Sequence, residues 1–147
     1  MLTEYNCEIF NAEIKDNKVN IWKYVPIAEF QKTIIDDNIT CYEKTIDINE
    51  INNFFEVKFI AEINNKQFII ISIKDDIIEV VCDDYKYAKE HDFKEIEHGV
   101  WIKNVSCSSF DKFLLIKIIQ DKFGNITEEI KELDKDKLIK NWNFYDV

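Results

Sequence analysis

Apolar and polar residues alternate along much of this chain, and the clearest run is in the middle. Phe55, Val57, Phe59, Ala61 and Ile63 alternate with Glu56, Lys58, Ile60 and Glu62. Successive side chains of a strand point to opposite faces, so a period of two predicts a half-buried strand over 55–63. Asn64-Asn65 is a tight-turn dipeptide. The dense apolar run from Gln67 to Ile73 predicts a central strand, Lys74-Asp75-Asp76 turns the chain, and Ile77 to Cys82 returns. Three strands joined by short polar turns make an antiparallel meander.

The flanking segments carry weaker signals. Tyr5 to Lys15 alternates loosely, Asp16-Asn17 offers a turn, and Val19 to Val25 alternates again, which predicts a hairpin closed by Pro26. Ile27, Phe30, Ile34 and Ile35 lie near helical spacing, so a short helix is expected over 27–36. A strand is expected over 41–48. Asp47 followed by Glu50 has the form of a capping box and predicts a helical turn running to Phe54 or Phe55. Residues 83–98 are polar and irregular and read as a surface connection with at most a helical turn near Tyr85 to Glu90. Val100 to Val105 and Phe110 to Gln120 read as strands. Phe123-Gly124-Asn125 marks a hairpin, Ile126 to Leu133 returns, and Leu138, Ile139 and Trp142 predict a closing helix. No repeat or linker is visible. The expected fold is one α+β domain over 1–147, predominantly antiparallel β-sheet with a few short helices.

Composition sharpens this picture. The chain has 147 residues, 46% of them hydrophobic and 14% aromatic, enough for a core without a metal or disulfide staple. Ile outnumbers Leu 26 to 5. Codon bias explains part of that excess, yet β-branched and aromatic side chains also suit a pleated surface. With two Gly and one Pro, the turns fall to Asn and Asp, which tolerate the left-handed region. Trp22, Trp101 and Trp142 sit on periodic stretches and are expected in the core.

The N-terminus has no basic and apolar leader, and no stretch approaches the 18 or so apolar residues of a membrane helix. Cys7, Cys41, Cys82 and Cys107 are widely spaced, with no C-x-x-C. Reduced thiols and a cytoplasmic location are expected.

Charge is the most informative feature. There is no Arg, and 19 Lys against 29 acids give a net charge of −10. That balance excludes a nonspecific nucleic-acid binder and argues against an anionic membrane surface. Residues 74–98 carry nine acids and four Lys, half of the net charge in a sixth of the chain. Asp83, Asp84, Glu90, Asp92, Glu95 and Glu97 are interleaved there with Tyr85 and Tyr87. Either this is a solvated rim that keeps the protein soluble, or the acids steer a basic protein partner toward tyrosine anchors. On the second reading these eight residues are the partner-binding site.

Catalytic motifs are missing. His91 and His98 match no metal-ligand spacing, and no calcium loop occurs. A thiol–imidazole pair could be drawn from Cys107 and His98, with Ser106, Ser108 and Ser109 nearby, but it needs a thiolate held close to a base. Adjacent acids such as Asp75-Asp76 point to opposite faces on a strand and cannot share one proton-transfer task. No catalytic, cofactor or metal residues are assigned, and no cofactor is expected.

The Ile, Lys and Asn bias, the strand-like Gly99 to Val105 and the acid-rich connection Asp83-Asp84-Tyr85 together resemble the immunity proteins of bacterial polymorphic-toxin and contact-dependent growth-inhibition systems. The resemblance is one of type and supplies no residue roles. It implies a non-enzymatic inhibitor that binds a cognate toxin domain, expected to be a basic nuclease-type effector, by covering its active or substrate-binding surface. An interaction adaptor and a small enzyme are the competing classes.

Overall fold

A computed structural model describes residues 1–147 as two compact units. Unit 1 comprises Met1–Glu56, Lys117–Glu129 and Phe144–Val147; unit 2 comprises Val57–Ile116 and Ile130–Asn143. Strands dominate both, and every registered strand pair is antiparallel.

In unit 1, β1 (Leu2–Tyr5), β2 (Glu8–Lys15), β3 (Lys18–Lys23), β4 (Gln31–Asp36) and β5 (Ile39–Asp47) lie in the order β4-β5-β3-β2-β1, and the start of β6 (Asn53–Ile63) pairs with β1. β1 to β3 form a meander, and β5 rather than β4 takes the place beside β3. The core of unit 1 is Phe10, Ala12, Val19, Ile21, Ile46, Ile51 and Phe54. Paired positions Ala12–Ile21 and Val19–Ile46 show how alternation delivers these side chains to one face.

The hairpin expected from Tyr5 onward is present as β2 and β3, with its turn at Asp16-Asn17. Its first strand begins later than expected, at Glu8, because Asn6 and Cys7 both adopt positive φ (51° and 64°) and fold the additional strand β1 back on it. Two successive left-handed residues form the turn whose twist matches a β-hairpin. A cysteine is an unusual occupant of that position, so the turn carried no sequence signal. The helix expected over 27–36 is absent. A turn precedes β4, where Ile34 and Ile35 stand exposed on an outer strand while Phe30 and Ile27 pack on the core. Four apolar residues at near-helical spacing had no single face to bury.

The capping box is present. Asp47 accepts from the Asn49 N–H and Glu50 accepts from the Asp47 N–H, but the 3-10 turn stops at Glu50 and β6 begins at Asn53.

Unit 2 continues from β6 through β7 (Lys66–Lys74) and β8 (Ile77–Cys82) to β10 (Val100–Ser106) and the outer β9 (Lys94–Glu97). The meander expected over 55–82 is present with its turns at Asn64-Asn65 and Asp75-Asp76. Registers place Ala61 beside Phe68, Ile70 beside Val80, and Cys82 beside Trp101, all buried. β7 is interior to the ladder as expected, yet only one of its faces is covered: Ile69 and Ile71 are 46% and 42% exposed. Strands β11 (Lys112–Asp121) and β12 (Ile126–Leu133) and the closing helix α2 (Lys135–Tyr145) contribute residues to both units. Trp101 is buried, whereas Trp22 and Trp142 are only half-buried. All four cysteines are free thiols. No helix is long and apolar enough to cross a membrane.

Candidate functional site

The acidic segment is more ordered than its sequence suggested. It holds helix α1 (Tyr85–Glu90) and strand β9, where an irregular connection was expected. The helical turn near Tyr85 to Glu90 was legible. β9 was not, because Lys94-Glu95-Ile96-Glu97 is all exposed and shows no apolar face.

Three of the eight residues hold the segment together. Asp84 caps α1: its carboxylate accepts from the Tyr87 N–H at 3.0 Å and pairs with Lys66 Nζ at 2.9 Å. The Lys66 hydrogen bond, helped by the Tyr87 N–H, holds the Asp84 carboxyl below its ordinary range, and Asp84 in turn raises the Lys66 ammonium. Tyr87 is half-buried. Its ring stacks on His91 with centroids 3.8 Å apart, lies 5.5 Å from Phe68, and has Lys66 Nζ 4.4 Å from its centroid. Glu95 accepts from the Gly99 N–H at 3.1 Å, closing the turn between β9 and β10, where Gly99 sits at φ 79°.

The other five face solvent. Asp83, Glu90, Asp92 and Glu97 are exposed and enter none of the ion pairs. Tyr85 is 58% exposed, with its ring edge-on to buried Trp101 at 5.6 Å and Lys89 Nζ 4.6 Å from its centroid. An exposed ring backed by a buried indole is already partly immobilised, which lowers the entropy cost of using it as an anchor. The structure thus divides the eight residues into a scaffold of Asp84, Tyr87 and Glu95 and an exposed set of Tyr85, Asp83, Glu90, Asp92 and Glu97.

His91 belongs to the scaffold. It is the C-cap of α1, its Nδ1 lies 2.9 Å from the Tyr87 carbonyl, and its own carbonyl accepts from Lys103 Nζ at 2.7 Å. His98 is exposed in the β9–β10 turn.

Cys107 lies elsewhere in unit 2, at the wall of an open cleft with Asp76, Ser106, Ser108, Lys112 and Lys135. Lys135 pairs with Asp76, and the Ser106 and Ser108 hydroxyls are 3.0 Å apart. Burial pushes the Cys107 thiol up against the smaller opposing pull of Lys135, and neither histidine lines the cleft. The thiol–imidazole pair of Cys107 with His98 is therefore not part of this cleft.

No family model, characterised protein or solved structure matches the chain.

Proposed function

We propose that the protein is an immunity-type inhibitor that binds a basic toxin domain through the α1–β9 segment of unit 2. The observation that carries this reading is that Tyr85, Asp83, Glu90, Asp92 and Glu97 are all exposed on one segment, which Asp84, Tyr87 and Glu95 hold in place. Charges around an aromatic anchor give fast, selective encounter and a buried contact once docked. Toxin domains that act on nucleic acid carry cationic surfaces, and an acidic partner can cover them. The cytoplasm is where such an inhibitor would meet its toxin.

The test is co-purification with the product of the neighbouring gene, followed by binding kinetics at two salt concentrations. Asn or Gln at Asp83, Glu90, Asp92 and Glu97 should slow association and flatten its salt dependence. Tyr85→Ala should speed dissociation at a cost on the order of 2 kcal/mol. Unchanged rates for both variants would refute the assignment of this surface.

A further inference from the structure

We propose that the partner is held in part by strand addition: an extended segment bearing lysine or arginine hydrogen-bonds to the open edge of β9. This rests on the reading of the protein as an inhibitor of a basic domain and names how that domain is gripped.

β9 pairs with β10 and with no other strand. The outer side of such a strand presents backbone N–H and C=O groups to solvent, a template for another extended chain. All four β9 residues are exposed, and Ile96 is 50% exposed. Which chain can use the edge is decided by charge. A second copy of this protein carries the same net charge of −10 and is repelled as a whole from this edge. Glu95 and Glu97, two acids against the single Lys94 of β9, are complementary to a cationic strand.

Register adds detail. Glu97 lies opposite Val100, Glu95 opposite Trp101 and Lys94 opposite Ile102, so Ile96 is the extra residue of a bulge. Glu95 therefore shares a face with Trp101, the indole that backs Tyr85. The bulge turns Glu97 to the other face, with Val100. An added strand with alternating cations carries them all on one face, so in one register they meet Glu95 and in the register shifted by one residue they meet Glu97. The outer strand of unit 1 provides a contrast. The charges of β4, Lys32 and Asp36, cancel, and Ile34 and Ile35 are 69% and 56% exposed. That edge has no preference for a cationic strand and serves as an internal control.

The experiment uses the full chain and a blocked synthetic peptide of alternating lysine and valine, with a glutamate/valine peptide as control. Amide hydrogen exchange is read residue by residue by NMR. The lysine/valine peptide should slow exchange at β9 amides about tenfold or more and leave β4 unchanged, and the control peptide should do neither. Glu95→Gln with Glu97→Gln should weaken the peptide about tenfold yet retain β9 protection at saturation, since the backbone edge is intact. Ile96→Pro, checked for folding by circular dichroism, should lose that protection. If the lysine/valine peptide binds while β9 amides exchange as in the free protein, strand addition is wrong and the acidic-surface reading survives. If neither that peptide nor the neighbouring gene product binds, both fall. Equal protection by the two peptides would overturn the charge argument for the edge.

Discussion

Cys7 shows how one residue can hide a turn. With φ at 64°, its Cβ is held in the left-handed region that costs an ordinary L-residue roughly 1–2 kcal/mol. The Asp16-Asn17 and Asn64-Asn65 turns use polar side chains that tolerate the same φ, and both were visible in the sequence. The conformational penalty at Cys7 is relieved by glycine, which visits that region freely but gives up more chain entropy on folding. Cys7→Gly is expected to raise stability by about 0.5 kcal/mol, read as a higher thermal midpoint. A lowered midpoint would mean that the thiol makes a contact worth more than the backbone relief.

At the scale of elements, a hydrogen-bonded clamp spans three strands of unit 1. Glu43 on β5 accepts from Asn20 Nδ2 on β3 at 2.9 Å and from Thr33 Oγ1 on β4 at 2.8 Å. These two bonds, Asn20 first, hold the Glu43 carboxyl below its ordinary value of about 4.5. In the folded state Glu43 thus binds its proton less readily than in the unfolded chain. Its contribution is fully present above pH 4.5 and is lost as pH falls through the depressed folded value. Asn20→Ala is expected to cost on the order of 1 kcal/mol at neutral pH and less at about pH 3, so the acid limb of its stability curve flattens. Urea midpoints across that range check it, and an equal loss at both pH values would show that the charge on Glu43 is irrelevant. The clamp also bears on what could be read in advance. Alternation with an Asn or Asp turn identified most strands from Val19 onward, because most of them have one covered face; β12, exposed except for Leu133, was marked by the Phe123-Gly124-Asn125 turn instead. β4 and β9 lie at the outer ends of their ladders with little side-chain burial, and nothing in their patterns marked them as strands. Each pairs with the next strand along the chain, β5 and β10, and is held there by the backbone ladder and by contacts such as the Thr33–Glu43 bond, which an apolar pattern does not contain.

For the molecule as a whole, charge is the dominant variable. Five ion pairs are scattered over a chain that carries ten acids more than it has lysines. Exposed pairs contribute little each, whereas excess charge of one sign opposes compaction. Raising ionic strength from about 0.02 M to about 0.15 M, where the Debye length is about 8 Å, should therefore raise the thermal midpoint. A falling midpoint would show that the pairs outweigh the repulsion. The acid-rich location of the candidate site was legible from charge counting alone. The division of labour within it was not: Asp83 and Asp84 are identical neighbours in sequence, and only the folded backbone makes the second a helix cap and leaves the first in solvent.

The hairpin turns have a consequence for how the protein ages. Deamidation of asparagine proceeds when the next backbone nitrogen attacks the side-chain carbonyl and ammonia leaves, and a following glycine speeds it because no Cβ hinders the approach. Asn6, Asn17 and Asn65 are followed by Cys7, Lys18 and Lys66, and none of the 14 asparagines precedes a glycine. The strain accepted at Cys7 thus keeps Asn6 chemically durable. Relieving it with glycine would exchange a conformational cost borne once, at folding, for a covalent one that accumulates with time.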